Sequence, residues 1–251
     1  MRIVRDTGYI KRRKRIARST AIGGFILLGS TFLVAFNQNL ILYAYVMLFV
    51  GFLLFNYGMQ QMGKWNRNPR NDGMLDSKLQ PFSDRYALIH YAKVGKHVVE
   101  HMLIHPGGVL VLTGRELPGV VYGRGNKWRK RGVGLARFFS FSGPQLGNPS
   151  IDTDHAIVAI ERFLEAMQME VDVHGAIVFL NAAVELDVSE PDYPVLMSDE
   201  LPGFVNSLEE DKSFTQAERD ALVSALGAGL EVEQTVTTKT RRPVKVKRRA
   251  A

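Results

Sequence analysis

A chain of 251 residues, 46% hydrophobic and 23% charged, is long enough for one domain with additions and too apolar to be a disordered polymer. It has no cysteine, which excludes disulfides and thiolate metal sites. Its net charge of +7 points to anionic partners, lipid and nucleic acid alike.

In chain order, residues 1–18 form a basic N-terminal stretch ending in "KRRKRIAR" (Lys11–Arg18). No charged residue follows until Lys64, and the segment 19–63 holds two apolar runs, Ser19–Phe36 and Leu40–Gly58. A helix needs about 20 apolar residues to cross a bilayer, and both runs meet that length. "NQN" (Asn37–Asn39) between them is too short for anything but the tip of a helical hairpin. A cleaved signal peptide is disfavoured, because no small-x-small site follows the first run and a second apolar run does. Lys11–Arg18 flank one outer end, Lys64, Arg67 and Arg70 flank the other, and the tip has no Lys or Arg. Positive flanks stay in the cytoplasm, so a two-helix hairpin in the cell membrane with both termini and the globular part cytoplasmic is expected. Gly23, Gly24, Gly29 and Gly51 permit close helix packing. Tyr57 and Trp65 stand where interfacial aromatics usually lie.

Residues 64–73 read as a polar linker, 74–231 as a cytosolic α/β (α+β) domain, and 232–251 as a basic disordered tail. Within the domain, Met74–Phe82 is expected as a short helix, Tyr86–Val94 as a strand and Gly119–Gly123 as another. Arg124–Gly134 reads as a basic, glycine-punctuated loop. Ile151–Met169 is an amphipathic helix with Ile157, Ile160, Phe163, Leu164 and Met167 on one face. The continuous apolar run Gly175–Asn181 predicts a central buried strand, and Tyr193–Ser198 a further short one. A capping box, Thr215 with Glu218, opens a helix over Thr215–Gly229.

The stretch 97–114, "HVVEHMLIHPGGVLVLTG", spells His-x-x-Glu-His, the pattern of one class of zinc-peptidase helix. Val98 and Val99 favour a strand, and Pro106-Gly107-Gly108 would stop a helix. On a strand, His97 and His101 stand about 13 Å apart at 3.3 Å per residue, too far for one zinc ion. The segment is therefore read as a β-hairpin, with His97, His101 and His105 as polar residues along one strand face. With the turn at Pro106-Gly107, facing residues put Glu100 opposite Thr113 and Val98 opposite Arg115, so that Glu100, Thr113 and Arg115 share a face.

The stretch "VEHMLIHPGGVLVLTGRELPG", then Trp128, "NPSID" and an apolar strand, resembles the nuclease-related domain (NERD) family over roughly Asp76 to Asn181. That family has an Asp-His pair on one strand, Gly-Pro-x-Gly at the turn, Glu-x-Lys on the next strand, and Asn-Pro-x-x-Gln at a helix start. The resemblance implies a restriction-endonuclease-like domain with a mixed central sheet flanked by helices. It also implies a site in which two carboxylates across the hairpin hold Mg2+ while a lysine polarises a phosphodiester. Carried over, Glu100 takes the first acid position with His101 beside it, Thr113 stands at the second acid, and Arg115 stands at the lysine. Asn148-Pro149 match, and Asp152 replaces the glutamine. Threonine is a poor Mg2+ ligand, and arginine keeps the charge but is no base. The expectation is thus a domain that binds nucleic acid or a partner without cutting and without a cofactor. An active Mg2+-dependent nuclease would need a relocated site, with Asp76 and Glu100 as metal ligands and Glu116 close by. A membrane-associated scaffold with no nucleic-acid role is the third reading.

Arg124, Lys127, Trp128, Arg129, Lys130 and Arg131 bring five positive charges around one indole. They suit phosphate contact with base stacking, or contact with anionic lipid beside the anchor. Phe138, Phe139 and Phe141 read as packed core or a membrane-touching loop. The basic residues from Lys239 to Arg249 read as lipid-associated.

Overall fold

The computed structural model describes residues 1–131, 145–228 and 230–234. The phenylalanine-rich segment and the basic residues from Lys239 onward lie outside the described residues.

A seven-stranded mixed sheet organises the globular part, in the order β10-β1-β2-β3-β4-β7-β9. Its strands are β1 (Arg2–Arg5), β2 (Ala87–Val94), β3 (His97–His105), β4 (Gly108–Arg115), β7 (Val173–Phe179), β9 (Val195–Met197) and β10 (Glu231–Gln234). Three further strands, β5 (Gly119–Arg124), β6 (Lys127–Lys130) and β8 (Val184–Ser189), form a small second sheet ordered β6-β5-β8. The helices are α1 (Thr7–Ala35), α2 (Ile41–Trp65), α3 (Asn71–Leu79), α4 (Pro149–Ala166), α5 (Leu201–Ser207) and α6 (Gln216–Leu226).

Period-two alternation gives the large sheet two apolar faces. On β4, Val109 and Val111 pack with Ile160 and Leu164 of α4 and Leu222 of α6. Leu110 and Leu112 pack on the other face with Leu75 and Leu79 of α3 and Leu201 of α5. The expected α+β domain with a mixed sheet between helices is therefore present. α6 opens with the capping box foreseen, Thr215 and Glu218 each bonding the other's backbone.

The alternation changes phase once, near Tyr91. Ala87 and Ile89 before it, and Ala92 and Val94 after it, all face the same core. Tyr91 has φ +60, a left-handed conformation that is strained for a bulky residue. Its ring is held by Tyr9, stacked at 5.7 Å, and by Trp65 at 5.4 Å.

Two corrections concern the ends of the domain. Residues 1–18 are not a free basic stretch: Arg2–Arg5 form β1, parallel to β2 and inside the sheet. Val4 is 1% exposed, and this burial draws the N-terminus in. The basic tail likewise begins later than residue 232, because Glu231–Gln234 form β10 against β1. A third correction is Trp65, which is 3% exposed and packs with Ile10 and Tyr91 instead of facing an interface.

α1 and α2 are long and apolar enough to cross a membrane. Their outer surface is apolar, with Phe32 76% and Leu42 71% exposed. On α2 the buried positions are Ala44, Gly51, Gly58 and Trp65, a strict seven-residue spacing. That period keeps one seam facing the partner helix. A methyl group on Gly24 would strike the Phe55 backbone, and one on Gly58 the Ala21 backbone. Gly23 and Gly29 face open space. Both helices are built into the domain at their polar ends. α1 starts one residue after β1, with the Asp6 carboxylate accepting from Tyr9 N at 2.6 Å. α2 ends at Trp65, against Tyr91.

Candidate functional site

His97–His105 is extended, as the valines and the Pro-Gly-Gly turn require, so the zinc-helix reading does not hold. The hairpin register is the one expected for residues 102–111: Met102 faces Val111, Leu103 faces Leu110 and Ile104 faces Val109. The pairing ends at Met102–Val111, before Glu100 and Thr113. Beyond that point β3 pairs only with β2, through His101–His90 and Val99–Ala92. The expected face-to-face placement of Glu100 and Thr113 is therefore corrected. The strands part, and a cleft of about 460 Å3 opens between them. That volume suits a small-molecule or nucleotide-sized group.

Glu100, Thr113, Arg115 and Asp152 all line this cleft, and its far wall is the end of α2, through Gln60, Lys64 and the following Arg67. Lys64 Nζ donates to Glu100 Oε1 at 2.5 Å. Burial works to raise the Glu100 carboxyl, but Lys64, then His101 and Arg115, outweigh it and hold its pKa below the ordinary glutamate value. Arg67 pairs with Glu116 at 2.8 Å. Burial nevertheless pushes the Glu116 carboxyl up, with Arg67 opposing. Gln145 Nε2 donates to Gln60 Oε1 at 2.9 Å, a further tie from the cleft wall to α2.

Thr113 carries no charge into the cleft. Its hydroxyl lies 2.6 Å from that of Thr153 on α4, which donates to the Pro149 carbonyl at 2.8 Å. Arg115 is fixed by backbone: Nε donates to the Leu146 carbonyl at 2.7 Å and Nη1 to the Gly114 carbonyl at 3.2 Å. Its Nη2 bonds Asp152, a carboxylate that is 56% exposed. Asn148 caps α4, its side chain accepting from Ile151 N at 3.3 Å.

Asp76 is not among the residues lining the cleft. One of its carboxylate oxygens bonds Arg5 and the other lies 2.9 Å from His90 Nε2. His101 and His105 are 1% and 3% exposed, so they are core residues and not a polar strand face, while His97 is exposed. His101 Nδ1 meets His90 Nδ1 at 2.8 Å. Beside them Asp72 accepts from Arg70 Nε and Nη2 at 3.0 and 2.6 Å and meets Arg5 at 3.2 Å. His90, Asp72 and Lys64 carry much of this arrangement, and sequence reasoning gave them no role in the site. Placing the β2–β3 turn at Gly95-Lys96 would have set His90 opposite His101, since that turn makes facing residues sum to the same value along the hairpin.

The site implied by the family resemblance does not fit a Mg2+ ion here. Glu100 is tied to Lys64, Thr113 to Thr153, and Asp76 to Arg5 and His90. Among the described residues no three His, Asp or Glu side chains converge as a metal-ligand set.

The basic segment is a hairpin and not a loop, because Gly125-Asn126 turn β5 into β6, with Tyr122 facing Arg129 and Gly123 facing Trp128. Alternation sends Trp128 inward. Its ring packs 6.1 Å from Phe179, fills the space over Gly123, and donates through Nε1 to Ser150 Oγ at 2.9 Å. Trp128 is thus engaged in packing and unavailable as a stacking platform. Lys127, Arg129, Arg131 and Arg124 remain exposed, and Lys130 is half-buried.

An α+β domain whose mixed sheet opens into a polar cleft, attached to two long apolar helices, is the class of protein defined by this architecture. No family model, curated protein or solved structure matches the chain.

Proposed function

We propose that this chain is a membrane-anchored, nuclease-related protein whose cytosolic cleft binds a phosphate-bearing ligand, nucleic acid above all, without cutting it. The hairpin α1–α2 is the anchor. Its basic flanks and uncharged tip put both termini and the domain on the cytoplasmic side. The sequence resemblance supplies the restriction-endonuclease-like assignment of the domain.

The observation that carries this reading is the pairing of the cleft's charges. The acid position, Glu100, is paired with Lys64, and the other acids lining the cleft, Glu116 and Asp152, are paired with Arg67 and Arg115. Arg115 is held by two carbonyls while its remaining bond goes to an exposed carboxylate. Only Asp152 of that pair is exposed, so a phosphate with its higher charge displaces it from a guanidinium that is already oriented. The exposed cations of the β5–β6 hairpin, Arg124, Lys127 and Arg129, with Arg131 beyond it, add positive charge to the same domain.

The test is titration of the full chain, in lipid nanodiscs, with a labelled single-stranded oligonucleotide across a salt series, with and without Mg2+. Binding that weakens as salt rises, drops about tenfold in Arg115→Ala, and leaves the oligonucleotide intact is expected. Mg2+-dependent cutting that disappears in Glu100→Ala would overturn the non-cutting assignment, and salt-independent or absent binding would overturn the ligand. Because the chain has no cysteine, single cysteines at Gln38 and His97, probed with an impermeant maleimide, report the orientation.

A further inference from the structure

A line of side chains running from α3 to the cleft wall ends in an atom with no hydrogen-bond partner among the described residues. It starts at Asp76 on α3, whose carboxylate is shared between Arg5 and His90 Nε2, the latter at 2.9 Å. It passes through His90 Nδ1 to His101 Nδ1 at 2.8 Å. It ends at His101 Nε2, buried and without a hydrogen bond among the described residues. His101 lines the cleft together with Asn71 and Gly114.

The carboxylate end determines which atoms carry protons. An ionised carboxylate only accepts, so His90 Nε2 bears the hydrogen. When each ring carries a single hydrogen, His90 Nδ1 is a bare lone pair that accepts and His101 Nδ1 donates. His101 Nε2 is left as an acceptor with nothing to accept. Native structures rarely bury such an atom without reason, and this one belongs to a residue that lines the cleft.

We infer that His101 Nε2 is the cleft's ligand acceptor, receiving an O–H or N–H from a ligand whose phosphate Arg115 holds. The ligand class is a phosphate joined to a hydroxyl- or amino-bearing group, the chemistry of a nucleotide, and this assignment rests on the phosphate-binding reading above. His101 and Arg115 line the same cleft, of about 460 Å3. Burial first, and then the neighbouring His90, hold the His101 pKa down to about 3, so the ring stays neutral and the acceptor persists at physiological pH.

The variant Asp76→Asn tests this from outside the cleft. Arg5 has only hydrogens to offer, so it takes the asparagine oxygen and turns the amide N–H2 toward His90. Every proton in the line then reverses, and His101 Nε2 becomes a donor. The measurement pairs nitrogen NMR of the histidine rings in the full chain with binding of two probes, a labelled single-stranded oligonucleotide and inorganic tripolyphosphate. The wild type is expected to show an unprotonated Nε2 at His101, and the variant a protonated one. Oligonucleotide affinity is expected to fall about tenfold, with tripolyphosphate affinity unchanged. A protonated wild-type Nε2, or a reversed line with unchanged oligonucleotide affinity, overturns the inference alone. Failure of the wild type to bind either probe overturns the phosphate-binding reading and this assignment with it. If Asp76→Asn does not fold, His101→Phe fills the space without a ring nitrogen, and the same selective loss is expected.

Discussion

Lys64 Nζ donates a 2.5 Å hydrogen bond to Glu100 Oε1, joining the last turn of an apolar helix to the strand that borders the cleft. The two side chains are 46% and 40% exposed, so the pair positions more than it stabilises. Lys64→Met is expected to raise the Glu100 pKa toward the ordinary glutamate value, measured by carboxyl carbon NMR. A double-mutant cycle with Glu100→Gln is expected to give a coupling of about 0.5 kcal/mol. No movement of the Glu100 titration would show that the two groups do not meet in solution.

Asp72 is a different case, because it is 1% exposed and held by Arg70 and Arg5. Burial alone would raise its pKa, and the hydrogen bonds and charge of Arg70, with Arg5, bring it down to about 2. A depressed carboxylate stabilises the fold above its unfolded pKa, about 3.9, and that contribution is lost as pH falls through about 2. Asp72→Asn takes the carboxylate from Arg70 and leaves Arg5 with Asp76, and is expected to cost about 2 kcal/mol at neutral pH. Urea unfolding in detergent between neutral and acid pH checks both points: the variant should lack the acid step that the wild type shows.

The buried histidines act in the opposite sense. Burial first, and then His90, lower the His101 pKa to about 3; burial and then His174 lower that of His105 to about 4. Between these values and about 6.5 the unfolded chain binds protons that the folded one refuses. Stability is therefore expected to decline as pH drops from about 7 to about 4, with a slope of about 1.4 kcal/mol per pH unit for each histidine. His105→Gln should flatten that dependence by about one proton in a series of denaturant midpoints. An unchanged slope would mean that His105 titrates normally in the folded protein.

The helix hairpin offers a comparison of glycines. Gly58 lies against the Ala21 backbone, whereas Gly23 has nothing near its missing side chain. Gly58→Val should force the helices apart and destabilise the hairpin by about 1–3 kcal/mol. Gly23→Val should change little. Disulfide trapping between cysteines introduced across the seam, in a chain with none of its own, reads the difference. Equal cross-linking in both variants would contradict the packing described.

Much of the domain was legible because its signals are local. Val98 and Val99 with the Pro106-Gly107 turn specify an extended hairpin and its register as far as Met102–Val111. The apolar run after Gly175 specifies a central strand, and Thr215 with Glu218 a helix start. The basic hairpin was hidden because Gly125 reads equally as loop punctuation, and only the pairing of β5 with β8 makes a sheet of it. β1 was hidden for a similar reason. Four residues of "RIVR" carry too little pattern to outweigh the basic run that follows them.

The sequence by itself determined two long apolar helices and an extended segment where a zinc motif is spelled. Those are properties of composition, periodicity and steric preference within a few residues. Only the tertiary structure decided that Glu100 meets Lys64 and that Asp76 meets Arg5. It also decided that β3 leaves β4 before Glu100, and that His101 lines the cleft bonded to His90. These contacts join residues far apart in the chain, so local preference cannot specify them, and they form only once the sheet has brought α2, α3, β1, β2 and β3 together.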